Sequence, residues 1–406
     1  MLLRTPTVIF LTHYMGVKAP WVNPQYSWSD CYSHGVMGVW ERPDENSIEG
    51  LLHGMEFADG VEFDLRVDGD GEFVIFHDEF VPGPGRMLDR CVENLPTDYV
   101  RSVGISTLDE LLANRDFTDS WQRGGKTVDI EFKLPHPSTK IETVDHLGSM
   151  IRRLEAALEP LELPERTVFA SCFSPKIGEA AKSVNSSIPV TRLVPHIRAW
   201  GRFWRLKRVM AIPNFARTTV KGVASSLRNE GMESIGMALD YLVGWPRYVH
   251  PGKPVGLHGR GLRRFFEARR GMGAFVWPCP LKHEDALLNA GVSLVSDNMD
   301  PTVFEKPDGT PRWPRPGSQP LDEEWRRRID RSSSDERGDV IAEAASSLPM
   351  WDEIEVSRKM GILEEQGSRM LWPGNSERWS EFAEGGLPWG SPRIIGHRGS
   401  GARHSV

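Results

Sequence analysis

Two carboxylates and a histidine lie within one short stretch of this 406-residue sequence. Apolar and polar residues alternate over 61–67, so a β-strand there turns Glu62 and Asp64 to the same face. The turn-forming run Asp-Gly-Asp-Gly then leads to a second apolar run, which ends at His77. Such a strand pair brings two acids and a histidine to neighbouring strand ends. The alternative is a half-exposed hairpin with a solvated acidic face, because charged side chains usually lie at the surface.

A second pair of charged residues has the same spacing. Glu131 and Lys133 alternate with apolar residues in a predicted strand over 128–133. A single exposed ion pair explains the two residues equally well. If this strand lies beside the first, a third carboxylate joins Glu62 and Asp64.

Composition excludes several classes of function. A formal net charge of -7, with 39% hydrophobic and 26% charged residues, describes a globular protein without a bias towards nucleic acid or an anionic membrane. The four cysteines show no C-x-x-C spacing, which argues against a zinc site or a disulfide scaffold. The only apolar run near the N-terminus, 8–11, is too short for a signal sequence or a transmembrane segment. We therefore expect a cytoplasmic protein without a transmembrane segment or a nucleic-acid partner.

Strand patterns alternate with helical patterns along most of the chain. A first strand pattern, 7–13, ends at His13 and precedes the strand pair and the Glu131 strand described above. Five more strand patterns follow, at 167–173, 188–194, 234–239, 274–277 and 292–296. Helical patterns occupy 45–55, 141–158, 175–183, 260–270 and 284–290, and 197–230 is a basic helical stretch. About eight strands separated by helices predict a TIM (β/α)8 barrel.

Functional groups of a TIM barrel collect at the C-terminal ends of its strands. Glu62, Asp64 and Glu131 would meet there, and three carboxylates without a cation repel one another. A divalent cation is therefore implied, and ligands that are all oxygen atoms favour Mg²⁺ or Ca²⁺ over zinc.

The ordered motifs resemble those of the glycerophosphodiester phosphodiesterase family. The match runs over about residues 45–301 and includes the Glu-x-Asp to His-Asp stretch, Ser-Thr-Leu-Asp-Glu at 106–110, Asp-Ile-Glu-Phe-Lys at 129–133, Ala-Ser-Cys-Phe at 170–173, Val-Trp at 276–277 and Ser-Asp-Asn-Met-Asp-Pro at 296–301. The resemblance implies a Mg²⁺ or Ca²⁺ site at Glu62, Asp64 and Glu131. It also implies a catalytic His77, with Lys133 near the phosphate and Trp277 in contact with the substrate.

The family's first motif is displaced in this chain. Members begin with a strand that ends His-Arg-Gly, followed closely by Pro-Glu-Asn-Thr, whereas here Glu-Asn-Ser at 45–47 follows no such strand. The motif instead occurs at the other end, where an apolar strand leads to His397 and Arg398. The chain is then circularly permuted, or the segment begins a tandem second barrel that is cut short. As a third alternative, the segment has no role and His13 or His34 supplies the first catalytic histidine.

Three regions follow from these patterns. Residues 1–304 are expected to form the barrel, 305–390 a linker with a small helical appendage, and 391–406 the first-strand segment.

The function implied is metal-dependent hydrolysis of a small-molecule glycerophosphodiester to glycerol 3-phosphate and an alcohol. His77 and His397 would exchange protons, while Lys133 and Arg398 offset the charge on the phosphate. A lipid-directed phospholipase D or sphingomyelinase type of enzyme on the same fold is one alternative, with 197–212 as its head-group surface. A degenerate barrel that only binds a ligand is the other. A histidine-arginine pair beside Glu62 and His77 would distinguish a catalytic barrel from a degenerate one.

Overall fold

The computed structural model describes residues 40–122, 126–164, 167–194, 219–244, 246–248, 253–369 and 392–401. Eight parallel strands close into a barrel with helices around it, which confirms the predicted TIM barrel. A ninth strand is antiparallel and extends the first as a hairpin.

The strands are close to the predicted ones. They are β1 (Gly60–Val67), β2 (Phe73–Ile75, the antiparallel hairpin strand), β3 (Thr127–Phe132), β4 (Val168–Cys172), β5 (Val190–Val194), β6 (Ser234–Ala238), β7 (Gly273–Trp277), β8 (Ser293–Ser296) and β9 (Ile394–Gly396).

Twelve α-helices lie in the described part of the chain. They are α1 (Ile48–Phe57), α2 (Thr97–Ser102), α3 (Leu108–Leu112), α4 (Arg115–Gln122), α5 (Thr143–Leu158), α6 (Ile177–Val184), α7 (Val220–Asn229), α8 (Gly259–Arg269), α9 (Glu284–Asn289), α10 (Glu323–Arg331), α11 (Ser334–Ser347) and α12 (Val356–Arg369). Thr107 is the N-cap of α3 and forms a complete capping box with Glu110.

Alternation along each strand divides the apolar residues between two layers. Side chains such as Val61, Phe63 and Leu65 face outwards and belong to the main core between the barrel and its helices. A smaller buried cluster fills the barrel interior and consists of Phe169, Leu193, Phe275, Val295 and Ile395. These residues come from β4, β5, β7, β8 and β9, so apolar packing supports the barrel below its polar end.

β9 closes the barrel. It runs parallel to β8, with Leu294 opposite Ile394 and Ser296 opposite Gly396, and it pairs on its other side with β1 through Val61. β9 therefore lies between β8 and β1, the strand that carries Glu62 and Asp64. Without it, β1 and β8 would both have an unpaired edge at this seam.

The region after β8 contains more helix than its composition indicates. Three α-helices, α10, α11 and α12, lie within residues 305–390, which were expected to form a linker with a small helical appendage. Asp59, at the N-terminal end of the barrel, joins this region to β9: its carboxylate accepts the backbone N–H of Ser318 at 2.8 Å and that of Ile394 at 3.0 Å. Ser318 is therefore held at the end of the barrel opposite the strand ends that carry the acids.

Several expectations concern residues outside the described ranges. The predicted strand 7–13, both alternative histidines, His13 and His34, and the basic, tryptophan-containing part of 197–218 are among them. Only the last third of the predicted helical stretch is described, and it forms α7. Within the described ranges, no helix has the length and hydropathy required to span a membrane.

Candidate active site

β1 and β3 bring three carboxylates together. The alternation of β1 turns Glu62 and Asp64 into the barrel, and the parallel register sets Asp64 opposite Glu131 on β3. One oxygen from each of the three carboxylates lies within 4.8 Å of the others. Glu62 and Asp64 are only 3% and 1% exposed, so the solvated acidic face considered from the sequence is wrong.

The surroundings of Glu62 and Asp64 shift the pKa values of the two carboxyls in opposite directions. Burial raises the pKa of Glu62 well above its ordinary value, and the neighbouring charges of Asp64 and Glu131 add to the effect. Burial also opposes ionisation of Asp64, but Lys133, whose Nζ lies 2.8 Å from Oδ1, acts together with His77 and Arg398 to outweigh burial and hold the pKa of Asp64 low. Nζ of Lys133 also contacts Oε1 of Glu131. Lys133 is therefore an internal counterion for two of the acids.

The three carboxylates fit a divalent cation. Oε1 of Glu62 is buried and has no hydrogen-bond partner among the described residues, which is costly for a carboxylate unless a cation binds there. Every candidate ligand in the group is a carboxylate oxygen, the ligand type that Mg²⁺ and Ca²⁺ prefer.

His77 follows the hairpin strand β2 and is held from two sides. Its Nδ1 lies 2.8 Å from Oδ1 of Asp78, and its carbonyl oxygen accepts hydrogen bonds from the guanidinium of Arg66. Burial, together with the positive charges of Arg398 and Lys133, lowers the pKa of His77 to about 3. The ring is therefore neutral at physiological pH and able to accept a proton at Nε2 when Nδ1–H donates to Asp78.

His397 and Arg398 follow β9 and reach the same acids. Nε2 of His397 lies 3.9 Å from Oε2 of Glu62, and the backbone N–H of Arg398 donates to that same oxygen at 2.9 Å. Nδ1 of His397 lies 2.7 Å from Oδ1 of Asp297, which follows β8. Each candidate catalytic histidine therefore has a carboxylate at Nδ1, which leaves Nε2 as the ring nitrogen on the other side of the ring from that carboxylate.

The Arg398 guanidinium is buried among acids. Its Nη1 lies 3.1 Å from Glu45 and its Nε lies 3.2 Å from Asp64. Burial disfavours its charge, but Asp64 and Glu45 outweigh burial and raise the pKa of Arg398. The arginine therefore remains a cation beside the three carboxylates.

Steric contact explains why the third residue of the His-Arg-Gly motif is a glycine. Gly399 has φ +85°, in the left-handed region, and a Cβ there would lie 2.4 Å from the backbone of Gly50 on α1. The close approach of this loop to α1 sets the position of Arg398.

Asn46 is a site residue that the sequence argument did not single out. Its amide nitrogen donates to Oδ2 of Asp64 at 2.8 Å, and its amide oxygen accepts the backbone N–H of Asp64 at 3.1 Å. Its own backbone N–H donates to the carbonyl of Arg398 at 3.0 Å. The Glu-Asn-Ser run at 45–47 contains Asn46 and could have identified it. Asp78 and Asp297 likewise stand next to motif residues in the sequence.

Trp277 ends β7 and contributes to an aromatic wall. Its ring packs edge-on against Phe173, with centroids 5.8 Å apart, and lies 6.4 Å from the ring of Phe275. It is half-buried at the end of the apolar cluster inside the barrel.

The sequence matches the model of the glycerophosphoryl diester phosphodiesterase family over residues 34–217. This span includes Glu62, Asp64, His77, Glu131 and Lys133. No curated protein matches the chain.

Solved structures with a similar arrangement are also glycerophosphodiester phosphodiesterases or phosphodiesterases by name. The enzyme from Thermotoga maritima is 16% identical, covers 63% of this chain and 89% of its own, and has a TM-score of 0.38. One from Parabacteroides distasonis is 15% identical, with coverages of 62% and 85% and a TM-score of 0.41. A phosphodiesterase from Oleispira antarctica, solved with the product sn-glycerol-3-phosphate, is 16% identical, with coverages of 63% and 93% and a TM-score of 0.39.

Proposed function

We propose that the chain is a phosphoric diester hydrolase of the glycerophosphoryl diester phosphodiesterase family, whose model matches residues 34–217. In this proposal it releases glycerol 3-phosphate and an alcohol from small glycerophosphodiesters in a reaction that requires a divalent cation. One observation carries the proposal. Three carboxylates, two carboxylate-held histidines and two cationic side chains converge at one end of the barrel. We propose Glu62, Asp64 and Glu131 as the ligands of the cation, with Mg²⁺ or Ca²⁺ as its identity. Such an ion, when bound, supplies Lewis acidity towards a phosphoryl oxygen.

The two histidines carry the proton transfers in this proposal. One takes the proton of the attacking group as its oxygen forms a new P–O bond, and the other gives a proton to the leaving alkoxide oxygen as the ester P–O bond breaks. Attack by water gives glycerol 3-phosphate directly, whereas attack by a glycerol hydroxyl gives a cyclic phosphate that water must then open to glycerol 3-phosphate. Their carboxylate partners, Asp78 and Asp297, orient the rings and stabilise the protonated form of each during the reaction. Both rings therefore present Nε2 as the reacting atom.

Charge on the transferred phosphoryl group is offset by Lys133 and Arg398. Both cations are buried beside the carboxylates, so a phosphate that enters the site meets two positive groups in a region where electrostatic interactions are little screened. Trp277 would pack against the apolar part of the substrate. Asn46 holds Asp64 and the Arg398 backbone in register, and so acts as a positioning residue.

The position of His397 and Arg398 favours catalysis over a degenerate barrel. A binding module that had lost the first-strand motif would lack a histidine-arginine pair beside Glu62, whereas His397 and Arg398 both approach Oε2 of that residue. The C-terminal segment thus supplies the motif that is missing before residue 45. The head-group surface of the lipid-directed alternative falls within residues outside the described ranges.

A direct assay tests the proposal. Release of glycerol 3-phosphate from glycerophosphocholine and glycerophosphoethanolamine is measured with Mg²⁺, with Ca²⁺ and with EDTA. We expect release with a divalent cation, loss in EDTA, and no rescue of Glu62→Gln by either ion. Asp129→Asn is the matched control, because Asp129 also faces inwards from β3 but lies outside the group of three acids, and it should keep its cation dependence. Full activity of the wild type in EDTA would reject the metal-dependent reaction.

A further inference from the structure

A basic groove lies on the outside of the barrel, away from the acidic site. It has a volume of about 930 Å³ and lies between α7, α8 and the connection from β6 to α8. Of the thirteen described residues that line it, seven are Lys or Arg and one is a carboxylate, Glu267. The chain as a whole has a net charge of -7, so this concentration of positive charge is local.

The positive charges come from separate segments. Arg260, Arg263 and Arg264 share one face of α8, where a solvated helix side alone would place such residues. However, Lys221 at the start of α7 and Lys253 in the β6–α8 connection line the same concavity. Like charges that converge across a groove repel one another, and a solvated helix face does not explain that convergence.

The groove cations have no acidic partners in the described part of the chain. None of the seven forms a salt bridge with a described residue, although Arg264 donates to the carbonyl of Pro254 at 3.1 Å. Arg247 lies over the ring of Tyr248 at 4.7 Å and donates to its hydroxyl oxygen at 2.6 Å, while its buried Nε has no described hydrogen-bond partner. Apart from these two hydrogen bonds, the groove cations are therefore not neutralised by any described carboxylate.

The size and charge of the groove indicate the class of ligand. Its volume is within the range of small-molecule sites, ~300–1,000 Å³. A formal excess of six positive charges is far larger than the single negative charge of a glycerophosphodiester. Five of the seven cations are arginines, whose planar guanidinium binds phosphate oxygens in pairs. We propose that this groove binds a ligand that carries two or more phosphate groups, either free in solution or as a lipid head group. This proposal does not depend on the reaction at the acidic site.

Two binding measurements test the groove and separate the two sources of ligand. Calorimetry uses inorganic pyrophosphate and inositol hexakisphosphate with the full chain in EDTA, so that no cation at the acidic site contributes. Co-sedimentation uses phosphatidylcholine vesicles with and without phosphatidylinositol bisphosphate. The test variant is Arg260→Glu/Arg263→Glu. The matched control is Arg152→Glu/Lys182→Glu, which makes the same charge change at exposed positions of α5 and α6.

The groove variant should weaken binding ~10-fold or more, and the control should stay within about twofold of wild type. The melting temperature of the groove variant and its release of glycerol 3-phosphate should match those of the control variant. Loss of binding to the soluble anions supports a free ligand, and loss confined to the vesicles supports a lipid head group. No binding by the wild type, or equal weakening in both variants, would overturn the proposal without affecting the proposed hydrolysis.

Discussion

Oδ1 of Asp297 lies 2.7 Å from Nδ1 of His397, across the seam where β8 meets β9. The pair exists because the two strands are in register, with Ser296 opposite Gly396 and the N–H of His397 donating to the carbonyl of Ser296. When Nδ1–H of His397 donates to this carboxylate, Nε2 carries no proton in the neutral ring and faces Glu62 at 3.9 Å.

Asp297→Asn should therefore lower kcat by roughly a hundredfold with little change in KM, because the ring loses a partner that stabilises its protonated form. Steady-state kinetics over a range of pH would measure the effect. Asp300→Asn on the same loop is the control, since its carboxylate binds Thr302 and not a candidate catalytic residue. A fall in melting temperature with unchanged kcat would assign Asp297 a structural role only.

His77→Ala should reduce turnover by roughly a hundredfold or more while substrate binding changes little. The reason is that the proposed reaction uses His77 for proton transfer, and its pKa, lowered by burial to about 3, keeps the ring neutral before the reaction. Measurement of kcat and KM separates an effect on turnover from an effect on substrate binding. His258→Ala, at an exposed position before α8, is the control. If the variant loses thermal stability but not turnover, the histidine serves the fold alone.

Glu62→Gln should stabilise the protein in EDTA while it abolishes most activity. The pKa of Glu62 is raised in the folded chain, so its contribution to stability is fully present below its unfolded-state pKa and is lost as pH rises through the folded-state value. Glutamine does not titrate, so the advantage of the variant should grow between pH ~5 and pH ~8. Asp64, with a lowered pKa, has the opposite dependence but is common to both proteins.

Denaturant unfolding of wild type and Glu62→Gln at several pH values, with and without Mg²⁺, measures this difference. The divalent cation should reduce it, because a bound cation favours the ionised wild-type carboxylate. If the difference in unfolding free energy between the two proteins were the same at every pH, the raised pKa of Glu62 in the folded chain would be contradicted.

Ile395→Ala should lower the free energy of unfolding by about 2–4 kcal/mol, since Ile395 is buried in the apolar cluster inside the barrel. Val356→Ala, at an exposed position of α12, should change it by less than ~0.5 kcal/mol. Denaturant titrations compare the two. Equal, small effects would mean that β9 does not contribute to the barrel core.

Deletion of residues 391–406 should lower both melting temperature and activity, because β1 and β8 each lose a paired neighbour. His397→Ala separates the two effects, since it should lose activity and keep the melting temperature. Addition of a peptide of residues 391–406 to the deleted protein should restore part of the activity. A deletion that leaves both properties unchanged would reject the role of this segment in the barrel.

The sequence by itself determined the local content of the site. Strand alternation sends Glu62 and Asp64 to one face whatever the rest of the chain does, and the same spacing assigns Glu131 and Lys133 to one face of β3. Alternating strands and helices likewise limited the fold to a parallel barrel. Three alternatives for the His-Arg-Gly segment remained open, because no local property of residues 394–399 specifies its neighbours.

The tertiary structure decided which distant groups meet. Closure of the barrel places β9 between β8 and β1, and the hydrogen bond from Ser400 to the carbonyl of Pro43 joins residues 357 positions apart. The carboxylate at His397, the contacts of Asn46 and the buried state of the acids all depend on that closure. Pairing between strands is a long-range interaction whose free energy is shared over the whole sheet, so a local pattern can name the residues but not their partners.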